Sequence, residues 1–160
     1  MDKLIPFLAD GLVFIIVAIS SFFLIVKVPN NRKYLTYGRI LVAGLTSYLV
    51  AKIMSIVYQP SSMRPFELMN VNPGASYMDN PGFPSDHSLF VWAIVFAVIY
   101  AVRNKILSLS LIILAFLVCV GRVMALVHTP LDVIGGIVAA MIGAMWYIDE
   151  LSCKKRKTNV

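Results

Sequence analysis

The chain has 160 residues, 59% of them hydrophobic and only 14% charged, with a mean hydropathy of +0.83 and a net charge of +6. A soluble domain carries about 25% charged residues, so an ordinary soluble fold is excluded. The basic residues lie at the ends of apolar runs rather than in one patch, which excludes a nucleic-acid partner and points to membrane topology.

The apolar blocks are each long enough to cross a bilayer, which takes roughly 20 residues. Five spans are expected, at 11–28, 38–58, 87–102, 106–125 and 130–151, in a single all-α membrane-embedded domain covering 1–160. Residues 150–160 form a basic tail. Asp2 and Asp10 precede the first block, while Lys27, Arg32 and Lys33 follow it. A cleaved signal has the reverse charge order, so this block is expected to stay as a helix. Residues 59–86 are rich in proline and glycine and form no long helix. Arg103-Asn104-Lys105 is a short enough link to make the third and fourth spans an antiparallel hairpin. In the fifth span, Gly135, Ala139 and Gly143 form one small-residue row and Gly136, Ala140 and Ala144 another, suited to close helix packing. Trp92 is expected in the core, and Tyr34, Trp146 and Tyr147 at the inner interface. The two cysteines, Cys119 and Cys153, fall on opposite sides of this arrangement. They are expected neither to bridge nor to join a zinc site.

Charge sets the orientation. Lys27, Arg32, Lys33, Arg39, Arg103, Lys105 and the tail residues Lys154, Lys155, Arg156 and Lys157 share one side, which the positive-inside rule makes cytoplasmic. Lys3, Arg64 and Arg122 lie on the other, with Lys52 inside a span. The N-terminus and the polar stretches holding Arg64, His87, Arg122, His128 and Asp132 are therefore expected outside.

These five residue types suit phosphate chemistry. Arginine offers a planar donor fork that matches phosphate oxygens. Ser85, at the start of the third span, has a hydroxyl and free helix N–H groups beside it that form an anion site. One imidazole can attack phosphorus while the other moves a proton. Asp132 lies four residues after His128, within reach of its ring. Thr129-Pro130-Leu131-Asp132 is equally a helix start, with Asp132 as a capping carboxylate. Each histidine alone would more often be an interfacial polar residue, and the arginines could bind headgroups. Their convergence on one face favours a shared site.

Arg64-Pro65, Pro84-Ser85-Asp86-His87 and Gly121-Arg122-x5-His128-x3-Asp132 together resemble the type-2 phosphatidic acid phosphatase superfamily. Its motifs are Lys-x6-Arg-Pro, Pro-Ser-Gly-His and Ser-Arg-x5-His-x3-Asp. The resemblance implies a membrane lipid phosphatase with His128 as nucleophile, Asp132 as its orienting partner and His87 as proton donor. Arg64, Arg122 and Ser85 would hold the phosphate, and no metal or other cofactor is implied. Val57 stands where the family has lysine, and Lys52, deeper in the same span, is a candidate replacement. Asp86 replaces the motif glycine and Gly121 the motif serine. Five spans stand where the family core has six. The motif context is similar to the bacitracin-resistance branch, which implies an isoprenyl diphosphate substrate, undecaprenyl diphosphate above all. Asp86 could then bias the site towards a diphosphate. The alternatives are a glycerolipid phosphate substrate, an inactive lipid-phosphate-binding scaffold and, less favoured because the spans are almost wholly apolar, a pore. Membrane lipids are expected partners, and the sequence leaves the oligomeric state open.

Overall fold

The computed structural model describes residues 3–59, 63–78, 80 and 82–148. Among these residues all regular structure is helical. The basic tail, Cys153 and the end of the fifth expected span lie outside the described residues.

The first helix starts earlier than position 11. Helix α1 (Leu4–Pro6), a π-helical turn (Phe7–Gly11) and α2 (Leu12–Lys27) form one continuous rod. A 3-10 turn (Asn30–Arg32) leads into α3 (Lys33–Val57). A short helix, α4 (Pro65–Leu68), follows. Then come α5 (Asp86–Val102), α6 (Lys105–Met124) and α7 (Pro130–Ala144), the last ending in a 3-10 turn (Met145–Tyr147). Four of these rods are long and apolar enough to span a bilayer: Leu4–Lys27, Asn30–Val57, Lys105–Met124 and Pro130–Tyr147. The fifth, α5, has 17 residues, about 25 Å at 1.5 Å per residue, somewhat short of a typical hydrocarbon core.

Helix α5 can be short because it is the central element. It packs against α2, α3, α6 and α7, and Val91, Val95 and Val98 are fully buried. With Leu12, Ile16, Leu111, Ala115 and Val118 they make the main apolar core. The outer helices instead show large apolar side chains to their surroundings, among them Phe14, Phe22, Leu45, Ile56, Ile106 and Phe116. A soluble monomer does not carry so much exposed apolar surface. On an integral membrane protein this is the lipid-facing belt, and that is what this chain is.

Helix ends follow local chemistry. Arg103 takes a left-handed conformation (φ 56°) that stops α5. Asn104 then caps α6, its Oδ1 accepting the Leu107 N–H at 3.1 Å. The small residues of α7 are spent inside the chain. A Cβ at Gly136 would lie 2.5 Å from the Ser85 carbonyl oxygen, and one at Gly143 would overlap the Ala43 carbonyl and Ser47 hydroxyl of α3. Trp92 lies in the interior, while Tyr34 and Trp146 are exposed. Tyr147 departs from the interfacial expectation. It is buried and stacked on Tyr100, ring centroids 4.5 Å apart, because the 3-10 turn rotates it inward against α5.

Candidate active site

At one end of the helices, residues 64, 76–78, 80, 82 and 84 join the ends of α5 and α6 and His128 around a polar cavity of about 160 Å³. That is several waters' worth of space, room for a phosphoryl group. Arg64, His87, Arg122, His128 and Asp86 share its wall.

His128 is placed by the chain reversal between α6 and α7. Leu126, with φ of 59°, turns the backbone out of α6. Thr129 then caps α7, its Oγ1 accepting the Asp132 N–H at 3.2 Å. Asp132 Oδ2 accepts the Thr129 N–H at 2.7 Å in return, a reciprocal box of the kind that opens helices. The same Oδ2 lies 3.6 Å from His128 Nδ1. Asp132 thus caps the helix and faces the histidine with the same oxygen. The 3.6 Å contact is just longer than a hydrogen bond, and Nδ1 has no closer partner. Burial is the main influence on His128 and holds its pKa below the ordinary imidazole value. Asp132 pulls it up, and the positive charges of Arg122 and Arg64 push it down.

Arg64 is buried, and its guanidinium ties residues 78 and 80 to the turn before His128. Nη1 donates to the Val127 carbonyl at 2.7 Å, and Nη2 donates to Met78 O and to the Asn80 carbonyl and side-chain oxygens at 2.8–3.1 Å. It therefore anchors the residue before His128 while keeping a face on the cavity. Ser85 is fully buried at the start of α5. Its N–H donates to the Asp132 carbonyl at 2.9 Å and its Oγ accepts weakly from the Ser88 N–H at 3.5 Å. It lies behind the cavity wall and joins α5 to α7. Lys52 is not on this wall either. Its Nζ sits over the Tyr48 ring, 5.2 Å from the centroid, in a second cavity.

That second cavity is large and almost wholly apolar, about 670 Å³, between α2, α3, α5 and α7. Small side chains, notably Ala43, Gly44, Ala93, Ala97 and Ala140, leave the space. Met78, Asp86 and His87 line both cavities. A phosphate-sized polar chamber thus adjoins an apolar one at His87.

One residue in the site was read in the sequence only as a flanking charge. Asp10, in the π-turn, accepts a hydrogen bond from Arg122 Nη1 at 2.7 Å, and its Oδ1 lies 3.5 Å from His87 Nε2. Its Oδ2 accepts the Ser76 N–H at 2.9 Å. The available signal was an ionisable residue at the end of an apolar span, where such residues tend to be functional.

The family model for the PAP2 superfamily matches residues 33–151. The chain belongs to the PAP2 superfamily. It is therefore a membrane phosphatase by family. It is 28% identical over 156 residues to the bacitracin transport permease protein BcrC of Bacillus licheniformis, covering 95% of this chain and 74% of that one. It is also 28% identical over 146 residues to the undecaprenyl-diphosphatase BcrC of Bacillus subtilis (strain 168), covering 89% of this chain and 70% of that one. A 64-residue stretch, 39% of this chain and 31% of the other, is 39% identical to YbjG of Escherichia coli (strain K12). No solved structure matches significantly. The family match starts at residue 33, so Asp10 and the whole π-turn lie outside it.

Proposed function

We propose that this PAP2-superfamily phosphatase hydrolyses an isoprenyl diphosphate, undecaprenyl diphosphate in the first instance, to the monophosphate and phosphate. The observation that carries the reading is the pair of joined cavities. A polar chamber with two histidines and two arginines fits a phosphoryl group, and the adjoining apolar chamber fits the start of a lipid tail. The name of the Bacillus subtilis relative supports the diphosphate.

The chemistry follows from the placement. Arg64 and Arg122 neutralise the terminal phosphoryl oxygens. His128 Nε2 attacks that phosphorus, a P–N bond forms, and the bond to the bridging oxygen breaks. His87 gives its proton to that oxygen as the lipid monophosphate departs. His87 then takes a proton from water, whose oxygen attacks the phosphohistidine. The P–N bond breaks, inorganic phosphate leaves and His128 is restored, so one water is consumed per turnover. Asp132 stabilises the positive ring of His128 during attack. Asp86 lines both cavities beside His87, whereas Lys52 lines only the apolar one, where its charge would face the lipid end of the substrate. No step requires a metal.

The charge distribution supports an active site open to the extracytoplasmic side, with the N-terminus outside and the C-terminus inside. Single-cysteine variants within 63–78 should react with an impermeant thiol reagent from outside intact cells. Labelling only from the cytoplasmic side would reverse the orientation.

The functional test is phosphate release by the purified chain in detergent from undecaprenyl diphosphate, farnesyl diphosphate, phosphatidic acid and phosphatidylglycerophosphate. Release is expected to be fastest from the isoprenyl diphosphates and absent in His128→Ala. Faster release from a glycerolipid would reassign the substrate, and no release from any lipid would leave a lipid-phosphate-binding scaffold.

A further inference from the structure

The π-turn does not break the first rod. It widens one turn by a residue, and such turns often mark functional positions. Here it brings a carboxylate into the site. The turn's backbone presses on α6 at Gly121, where a Cβ would lie 2.7 Å from the Ala9 nitrogen and 2.8 Å from the Leu8 carbonyl carbon. No side chain fits that gap without displacing the helix. Gly121 replaces a motif serine and directly precedes Arg122, so the departure from the motif and the approach of Asp10 share one cause. The contact is anchored three ways. Asp10 holds the nearly inaccessible Arg122 guanidinium at 2.7 Å, faces His87 Nε2 at 3.5 Å and accepts the Ser76 N–H. Arg122 Nε is buried without a hydrogen-bond partner among the described residues, and Nη1 is held by Asp10.

We propose that Asp10 is the second carboxylate of the active site, a positioning residue that holds Arg122 and orients His87 from outside the family motifs. The inference rests on the phosphatase reading given above. It has a signature that a scaffolding role lacks. Asp10 places a negative charge where an anion must bind, so it opposes ground-state phosphate while keeping the reacting groups in register. Removing the charge tightens phosphate and slows turnover.

The test compares wild type, Asp10→Asn and Asp10→Glu as purified full chains in detergent. Inorganic phosphate binding is measured by calorimetry, and kcat and KM are measured on farnesyl diphosphate. In Asp10→Asn, inorganic phosphate should bind about 3–5-fold more tightly, the worth of one partly exposed charge. kcat should fall roughly 10–10²-fold, as expected for groups displaced by about an ångström. Asp10→Glu keeps the charge, so phosphate affinity should stay near wild type while kcat remains reduced. If Asp10→Asn does not fold, Asp10→Glu alone decides: wild-type kcat would overturn the proposal. Gly121→Ser should lower kcat in the same way, and combined with Asp10→Asn it should add little further loss. Phosphate affinity unchanged or weakened in Asp10→Asn, together with unchanged kcat or a loss explained by lowered thermal stability, would reduce Asp10 to a packing role. A wild-type chain that binds phosphate but turns over nothing would sink the phosphatase reading instead.

Discussion

The site has two arms, and they are built differently. In one, His128 and Asp132 lie four residues apart, and a single capping box sets their geometry. In the other, His87 and Arg122 face Asp10 across 77 and 112 positions of chain, and a π-turn resting on a glycine sets the geometry. The first arm depends mainly on local helix-start chemistry, with Arg64 anchoring the residue before His128. The second depends on how tightly the first rod lies against α6. In the mechanism proposed above, attack on phosphorus belongs to the local arm, and proton transfer and charge neutralisation to the assembled one.

The largest effect should come from the local arm. His128→Ala is expected to abolish turnover and to prevent any acid-labile phosphoenzyme, because His128 is the nucleophile in the mechanism proposed here. Labelling with radioactive substrate checks this. A phosphoenzyme that survives in His128→Ala but vanishes in His87→Ala would exchange the roles of the two arms.

The assembled arm should be graded rather than absolute. His87→Ala is expected to slow turnover by roughly 10²–10⁴-fold. The loss should be smaller for farnesyl diphosphate, whose leaving phosphate is already acidic, than for farnesyl monophosphate, whose leaving group is an alkoxide. Equal losses on both substrates would mean that His87 does not protonate the leaving oxygen.

The contrast between the arms also explains what the sequence could carry. The apolar blocks made the helical membrane class legible, since span length and hydropathy are local properties. The closeness of His128 and Asp132 was legible for the same reason, as was the helix start at Thr129. Nothing local announces a π-turn, so the first rod was expected from position 11 although it begins at Leu4. Asp10 was consequently read as a flank. Arg64 was expected simply as a phosphate fork, yet it also donates to Val127, Met78 and Asn80, partners that exist only once the chain around them has folded. Tyr147 is buried through a 3-10 turn that hydropathy does not encode.

Asp132→Asn tests whether the shared oxygen matters to chemistry or only to the helix start. The amide is nearly isosteric, and Thr129 still caps α7, so thermal stability should change little. Turnover should nevertheless fall by about 10²-fold or more, because the ring of His128 loses its negative partner. An equal fall in stability and activity would assign Asp132 to the cap alone.

The smallest effect is a displaced pH limb. In the proposed mechanism His128 attacks as neutral imidazole, so protonation should remove activity as pH falls. Burial, aided by the charges of Arg122 and Arg64, holds its pKa below the ordinary imidazole value despite the pull of Asp132. The neutral form therefore persists further into acid than for a free imidazole. The acid limb of kcat/KM, which reports the free enzyme, is expected below the ordinary imidazole value. Bound substrate adds negative charge beside the ring and favours its protonated form, so the acid limb of kcat should lie at higher pH than that of kcat/KM. Asp132→Asn removes the one influence that raises the pKa and should move the kcat/KM limb further into acid while lowering the plateau. Paired kcat and kcat/KM profiles on farnesyl diphosphate decide the point. A kcat/KM limb at or above the ordinary imidazole value would mean that the arginines and the buried setting do not govern the nucleophile, and that the two arms are less separate than their construction implies.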